Sequence, residues 1–235
     1  MKKLYICGYG LTEDDISLKT LRILEKSDII ISPSLDKHNF ISRYLLKLSK
    51  KTIVNVRNLP PEKIISKILN TLNKFDIVSL LVYGNPLFMN IITEMLIKRI
   101  KNTEIVTIPA ISSFDLMFHV IPMLNISSEK IVLLNNRIIE KDSRDRKILD
   151  MDISSHIFLF GAEAMRSRAK KVFFESFIKY YGREHPLYII HTEDITVQER
   201  IIKKIKIEDI SKHLHKNIMQ TLYIPPKKSL TTALT

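Results

Sequence analysis

Three short loops contain the residues of this chain that are best suited to chemistry. They are residues 8–11 (GYGL), 83–87 (YGNPL) and 109–113 (PAISS). The whole sequence has only 5 glycines, and Gly8, Gly10 and Gly84 lie in these loops. Glycine permits positive φ angles and lets a ligand approach the main chain, while serine and asparagine add hydrogen-bonding groups. The loops therefore predict a binding site built largely from backbone atoms.

Other reactive side chains form no pattern typical of nucleophilic or metal-assisted catalysis. The single Cys7 excludes an internal disulfide and a multi-cysteine metal site, and its place in a predicted strand favours a buried core thiol. The histidines of the second half are too scattered to indicate a metal site, so we expect no metal. Asp115 and His119, four residues apart on one predicted helix, can form an acid–base pair or serve surface and capping roles.

Each of the three loops follows a predicted strand. Strands are predicted at residues 3–7, 28–32, 52–56, 76–82 and 104–108, and helices at 17–26, around 40–48, from 60, at 89–101 and from 112. The acids at residues 13–15 suit the start of the first helix. This alternation predicts a parallel sheet covered by helices on both faces. Ligands bind at the carboxyl ends of such strands, which is where the three loops stand.

The pattern changes around residues 120–125, which include Pro122. We place a domain boundary there, with an N-terminal α/β domain of mostly parallel sheet at 1–121 and a C-terminal α/β domain of mixed sheet at 122–235. The second half contains predicted strands at 130–134, 156–160, 186–191, 195–206 and 219–224, and a long helix at 164–181. Residues 136–152 are charge-rich and are predicted to form a loop.

Composition limits the class of protein. The chain has 235 residues, of which 45% are hydrophobic, and no apolar run is long enough for a membrane span. The apolar stretch near the N-terminus is too short for a signal peptide, so we expect a cytoplasmic protein. The net charge of +12 is compatible with nucleic acid, with an anionic small molecule or acidic peptide, or simply with solvated helix faces. The lysines are spread rather than clustered, which makes nucleic acid the weaker interpretation.

A dinucleotide-binding fold is the first candidate for a glycine pair after a strand. Its fingerprint requires a third glycine, where this sequence has Glu13, and an acid after the second strand, where residues 32–34 read SPS. A purely structural turn is also compatible with the pair. NAD binding is therefore disfavoured.

The three loops, in this order and spacing, resemble those of the tetrapyrrole methylase superfamily. Residues 8–28 (GYGLTEDDISLKTLRILEKSD) resemble the opening segment of that family, 84–87 (GNPL) its G-D-P loop, and 109–113 its P-G-V-S-S loop. Residues 220–227 (QTLYIPPK) resemble the last strand of two branches, the borosin-type peptide N-methyltransferases and the methylases fused to pyrophosphohydrolases. The departures are the missing third glycine, Asn85 in place of an acid and Ala110 in place of a glycine.

This resemblance implies a tetrapyrrole methylase-like fold of two α/β domains with a cofactor cleft between them, and S-adenosylmethionine as the cofactor. Cofactor-binding residues carried over by position are Gly8, Gly10, Tyr83, Gly84, Asn85, Leu87, Ser112, Ser113, Leu134, Gly161 and Ala162. Tyr83 and Arg57 are the candidate catalytic residues. Arg57 lies where the borosin branch has a segment rich in tyrosine and arginine, but residues 56–61 (VRNLPP) are short and lack tyrosine. Tyr83 can orient a substrate or serve as a packed loop tyrosine.

The resemblance implies a methyltransferase and leaves its acceptor open. The first expectation is methylation of backbone amides of a ribosomal precursor peptide, which the C-terminal strand favours, and the others are alternatives. The basic charge favours a corrinoid or porphyrinoid carbon, and, less strongly, RNA ribose. A non-catalytic S-adenosylmethionine-binding module that acts as a regulatory partner is a further alternative. We also expect a homodimer, because members of the family usually form one, and no membrane partner.

Overall fold

The computed structural model describes residues 2–11, 13–33, 52–56, 59–123, 130–136, 152–165, 167–191, 202–214 and 220–227. The chain divides into two compact units, residues 1–117 and 118–235. The helix predicted around 40–48, Arg57 and most of the loop predicted at 136–152 lie outside the described residues.

Parallel strands form the centre of the first unit. Its described strands are β1 (Lys3–Gly8), β2 (Ile29–Ser32), β3 (Thr52–Asn55), β4 (Ile77–Val82) and β5 (Glu104–Ile108). They form one sheet in the order β3-β2-β4-β1-β5, and every described pair is parallel. The five strands predicted from the first half of the sequence are therefore present, and they form the predicted parallel sheet.

Helices cover both faces of this sheet, as the alternation predicted. These helices are α1 (Leu18–Lys26), α2 (Pro61–Lys74) and α3 (Ile91–Arg99); a further helix, α4 (Ser113–Met123), begins in this unit and ends in the second. Alternate residues of β1 point to opposite faces: Leu4 and Ile6 pack in the cluster that includes α2 and α3, whereas Cys7 packs in the cluster that includes Leu24 of α1. Burial on both faces fixes the register of β1 and hence the place of its terminal glycine.

Two details of the first unit differ from the sequence prediction. The acids at 13–15 do not start α1 but form a short 3₁₀ helix (Glu13–Asp15), and Ser17 caps α1 by accepting a hydrogen bond from the Thr20 N–H. Helix α4 continues through Pro122 to Met123, although a break was predicted there. Proline at this position removes one helical hydrogen bond and crowds the carbonyl four residues earlier, and the helix nevertheless continues through it.

The second unit is built on a mixed sheet. Its described strands are β6 (Ile131–Asn135), β7 (His156–Phe160), β8 (Pro186–His191), β9 (Ile202–Lys206) and β10 (Gln220–Ile224), in the order β6-β7-β10-β8-β9. Only the β6–β7 pair is parallel among these strands. Of the strand predicted at 195–206, the structure describes Ile202–Lys206.

One long helix, α5 (Ser167–Tyr181), covers a face of this sheet. Its Phe173 and Phe177 pack on Leu159 of β7 and Leu222 of β10, all nearly inaccessible to solvent. Short helical segments precede and follow it: 3₁₀ turns at Ala162–Ala164 and Ile207–Asp209, and α6 (Ile210–His213). Every helix in the described residues is too short or too polar to cross a lipid bilayer.

Candidate cofactor site at the ends of three strands

The three loops singled out in the sequence follow three strands that are neighbours in the sheet. β1 lies between β4 and β5, with Gly8 beside Val82 and Cys7 beside Ile108. Because all three strands are parallel, their carboxyl ends lie at one edge of the sheet. Residues 9–11, 83–90 and 109–112 leave the sheet at that shared edge.

Gly8 is the point at which the three loops touch. A Cβ atom at this position would lie 2.2 Å from the carbonyl oxygen of Gly84, 2.7 Å from Cβ of Ala110 and 3.1 Å from Cδ of Pro86. No other amino acid fits such a space without moving the backbone. The glycine at the end of β1 is thus explained by the close approach of the other two loops.

Gly10 and Gly84 join the first two loops. The Gly84 N–H donates a hydrogen bond to the Gly10 carbonyl at 2.9 Å, and both residues have positive φ, +95° and +64° respectively. On its other side Gly84 faces the third loop, since a Cβ at Gly84 would meet Cβ of Ser112 at 3.7 Å. The residues Gly10, Gly84 and Ser112 therefore form a continuous strip of backbone.

Residues outside the three motifs hold this strip in place. Thr20, fully buried on α1, donates a hydrogen bond from Oγ1 to the Gly8 carbonyl at 3.3 Å. Asp15 accepts a hydrogen bond from the Leu11 N–H at 3.0 Å. Sequence reasoning missed both roles, because a threonine inside a helix and an acid in a cluster of acids have many possible partners.

Asn85 shapes the second loop as an acid would. Its Oδ1 accepts a hydrogen bond from the Leu87 N–H at 2.9 Å, and an aspartate in the same place offers the same type of acceptor. Asn85 stands where the G-D-P loop of the tetrapyrrole methylase superfamily has an aspartate. The asparagine is therefore compatible with the loop geometry. Leu87 itself is 62% exposed.

Ser112 and Asp115 are joined at the start of α4. The backbone N–H and the hydroxyl of Ser112 both donate to Oδ2 of Asp115, each at 2.7 Å. A serine followed three residues later by an acid is a capping signal that can be read from sequence. Of the alternatives considered for Asp115, the structure displays the capping contact, and the His119 side chain lies outside what is described.

Tyr83 packs beside this site. Its ring meets that of Tyr9 edge to face, with centroids 5.8 Å apart at an interplanar angle of 77°, and it contacts the cluster that contains Cys7 and Leu81. This packing fixes the direction in which Tyr83 leaves β4. A role in orienting substrate stays a prediction, as does the role of Arg57, which lies outside the described residues.

The candidate residues of the second unit lie together at the ends of its parallel strand pair. Leu134 of β6 is in register with Leu159 of β7. Gly161 follows β7 with φ of +71°, and a Cβ there would lie 3.3 Å from the side chain of Asn136. Ala162 is fully buried in the core of the unit. An adenine contact at Leu134, Gly161 and Ala162 stays a prediction.

The Cys7 thiol, which lies outside the three loops, is held inactive by burial. Burial raises the pKa of the Cys7 thiol to about 12, so this thiol is protonated at neutral pH and is a poor nucleophile. Nowhere in the described ranges do three His, Cys, Asp or Glu side chains gather as metal ligands do.

The groups at this edge fit S-adenosylmethionine. Its amino-acid end and ribose need hydrogen-bond partners, and its adenine and sulfonium need backbone and apolar surface. The loops supply main-chain N–H and carbonyl groups, the Ser112 hydroxyl, and the exposed apolar side chains of Leu87 and Ile111. A Cβ atom at Gly84 would lie in ordinary contact with Ser112 at 3.7 Å, and the glycine leaves this place to a ligand atom.

Solved structures share this fold. A uroporphyrin-III-C-methyltransferase from Thermus thermophilus is 16% identical, with a TM-score of 0.64 over 95% of this chain and 92% of the other. A cobalamin biosynthetic enzyme, cobalt precorrin-4 methyltransferase CbiF, is 17% identical, with a TM-score of 0.62 over 95% and 94%. The methyltransferase CobJ is 12% identical, with a TM-score of 0.65 over 96% and 95%.

Sequence comparison identifies the family. No curated protein matches the chain significantly. The profile of the Tetrapyrrole (Corrin/Porphyrin) Methylases matches residues 3–208, which is most of the sequence and includes all three loops. Members of this family transfer a methyl group from S-adenosylmethionine. This chain therefore belongs to the tetrapyrrole methylase family and is an S-adenosylmethionine-dependent methyltransferase.

Proposed function

We propose that this enzyme methylates a carbon atom of an anionic tetrapyrrole, with S-adenosylmethionine bound at the strip formed by Gly10, Gly84 and Ser112. The observation that carries the cofactor site is the convergence of the three loops, in which Gly8 meets both Gly84 and Ala110. S-adenosylmethionine, when bound, supplies a methyl group already activated by a sulfonium. The protein has mainly to align acceptor and donor and to exclude water.

Different residues bind the cofactor and hold the loops in shape. Main-chain groups of residues 83–87 and 109–113 bind the cofactor, and Ser112 contacts its amino-acid end. Asn85 and Thr20 hold the loops in shape through their hydrogen bonds to the Leu87 N–H and the Gly8 carbonyl. Leu134, Gly161 and Ala162 of the second unit are the proposed adenine contacts.

Two observations favour a tetrapyrrole as the acceptor. Two of the structurally similar enzymes are named for a uroporphyrin and for a cobalt precorrin. The net charge of +12 also suits a substrate that carries several carboxylates. The acceptor carbon loses one proton overall when it gains a methyl group, and that proton passes in the end to bulk solvent.

The alternative acceptor is a peptide backbone amide, which rests on residues 220–227. Residues 220–224 form β10, which is buried along its length and pairs with β7 and β8 in the middle of a sheet. The sequence of β10 is thus explained by packing in the core of the second unit. For this reason we prefer the tetrapyrrole as the acceptor. Separately, we propose that the enzyme is a homodimer, as members of the family usually are.

A labelled methyl-transfer assay tests the proposal. The enzyme is first titrated by calorimetry with S-adenosylmethionine and S-adenosylhomocysteine, and binding of both is expected. It is then incubated with methyl-labelled S-adenosylmethionine and either a reduced uroporphyrin-III-type tetrapyrrole, a cobalt precorrin or an unmodified peptide. We expect label in a tetrapyrrole, resistant to base because it is bonded to carbon.

The outcomes separate the parts of the proposal. Label found only in the peptide contradicts the tetrapyrrole acceptor and leaves the cofactor site standing. Absence of binding to either adenosyl compound contradicts the cofactor site itself. Tight binding of the cofactor without transfer to any acceptor favours a regulatory module.

A further inference from the structure

The hydroxyl group of Ser112 already donates its hydrogen to a neighbouring carboxylate. Its Oγ donates to Oδ2 of Asp115 at 2.7 Å, and its backbone N–H donates to the same oxygen at 2.7 Å. Ser112 is 3% exposed, whereas Asp115, its partner, is exposed at the surface. Hydrogen bonds to a carboxylate are roughly twice as strong as those between neutral groups. The direction of the Ser112 hydroxyl is therefore fixed.

The hydrogen bond to Asp115 limits which ligand groups the Ser112 hydroxyl can bind. A hydroxyl has one hydrogen to donate and two lone pairs that accept. With the hydrogen held by Asp115, Ser112 presents only acceptor positions to a ligand. The amino-acid end of S-adenosylmethionine offers an ammonium group, which donates, and a carboxylate, which only accepts. Only the ammonium group matches the Ser112 hydroxyl as it stands here.

We infer that Asp115 is a positioning residue which makes Ser112 a hydrogen-bond acceptor for the ammonium group of bound S-adenosylmethionine. This inference rests on the cofactor site proposed above. The loop motif shared with the family ends at Ser113, so the resemblance assigns no role to Asp115. The carboxylate of Asp115 acts through Ser112, and its second function is to cap α4 through the Ser112 N–H.

Calorimetry with three adenosyl compounds tests the inference. S-adenosylmethionine has both ends of the amino acid, its decarboxylated form keeps the ammonium group, and methylthioadenosine has neither. In Asp115→Ala we expect about a tenfold loss of affinity for the first two compounds, which corresponds to one hydrogen bond to a charged group. Affinity for methylthioadenosine is expected to be unchanged.

Two further variants separate positioning from other roles. Asp115→Asn keeps an oxygen that accepts from Ser112, so it is expected to retain affinity close to that of the wild type. In a Ser112→Ala background, Asp115→Ala is expected to cause no additional loss of affinity. It will still lower the melting temperature in that background, because the cap of the Ser112 N–H is lost.

Each contrary result points to a different error. If Asp115→Ala loses affinity for methylthioadenosine, contact of Ser112 with the ammonium group is contradicted. Unchanged affinity of Asp115→Ala for the decarboxylated compound contradicts it as well. Equal losses in Asp115→Asn and Asp115→Ala contradict positioning and favour direct contact of the charge with the cofactor. An equal loss with and without Ser112 shows that Asp115 acts only through the helix. If the wild type binds no adenosyl compound, the proposed function itself fails.

Discussion

Gly84 and Gly182 share a backbone conformation and differ in what surrounds them. Their φ angles are +64° and +94°, but Gly84 faces Ser112, whereas a Cβ at Gly182 would meet nothing within 4 Å. Leucine at either position is strained by about 1–2 kcal/mol because of the left-handed backbone. We expect Gly84→Leu to abolish binding of S-adenosylmethionine and Gly182→Leu to leave it intact. Calorimetry and urea unfolding of both variants measure the two effects separately.

The pairing of these two variants controls for loss of stability. If both proteins lose about the same stability and only Gly84→Leu loses affinity, the side chain itself blocks the cofactor. Equal affinities in the two variants would show that the cofactor binds elsewhere.

At the residue level, the sequence predicted the loops better than their contacts. Gly8, Gly10 and Gly84 stand out because glycine is rare in this chain, and their neighbouring strands follow from the hydrophobic pattern. The bond between Ser112 and Asp115 can be read from a capping motif, although the four-residue spacing of Asp115 and His119 also fitted an acid–base pair. The clash that makes Gly8 necessary involves Ala110, more than 100 residues away in the sequence, and no local pattern reports such a contact.

Among the elements, α1 has a role beyond packing because it carries Thr20. The Thr20 hydroxyl donates to the Gly8 carbonyl and accepts from the hydroxyl of Ser17. Thr20→Val keeps the shape and removes both bonds in a buried place, so we expect a loss of about 1–2 kcal/mol in the free energy of unfolding. We also expect weaker binding of S-adenosylmethionine, since the first loop loses its attachment to the helix.

Thr71→Val is the matched control for this prediction. Thr71 also lies in a helix and donates to a carbonyl, that of Lys67 at 2.8 Å, but this bond is exposed on α2 and lies in no loop. We expect a change within about 0.5 kcal/mol and unaltered affinity. Equal effects of the two substitutions on affinity would contradict a special role for Thr20.

Elements were predicted well wherever burial dictates their pattern. β1 and β4 are apolar because both faces of the sheet are covered, and α2 begins at Pro61, where proline is favoured. The errors lie at helix ends. The acids at 13–15 fit the start of α1 by charge, but Ser17 provides the cap. Pro122 suggested a break, yet α4 includes it and ends at Met123.

Considered as a whole, the second unit is held together by contacts between distant segments. His185, just before β8, donates from Nε2 to the Pro225 carbonyl at 2.9 Å. The Lys227 N–H donates to the Ile153 carbonyl at 2.8 Å, and its ammonium group donates to the Tyr180 carbonyl at 2.9 Å. The segment after β10 therefore connects the beginning of β7 with the end of α5.

His185 makes this connection sensitive to pH. Burial lowers its pKa, with the nearby charge of Lys227 in the same direction and the Pro225 carbonyl opposing them. In the unfolded chain a histidine takes up a proton at about pH 6.5, whereas in the folded chain it does so only at lower pH. Its contribution to stability is complete above about pH 6.5 and declines as the pH falls below that value.

Urea unfolding at about pH 7.5 and about pH 5.5 measures this effect. We expect the wild type to lose more stability on acidification than His185→Gln, which keeps a donor and does not titrate. The other histidines are common to both proteins. Any difference between the two proteins in how far the free energy of unfolding falls between the two pH values is therefore due to His185. If both proteins lose the same free energy of unfolding on acidification, His185 is protonated as readily in the folded state as in the unfolded chain.

The central place of β10 has a consequence for biosynthesis. Strands β7 and β8 leave the ribosome before β10, yet each needs β10 as its neighbour. Until then the nascent chain presents two hydrophobic strands with unpaired edges, which are open to pairing with strands of other chains. Aggregation during this interval is therefore a route by which active protein can be lost that the stability of the finished enzyme does not control.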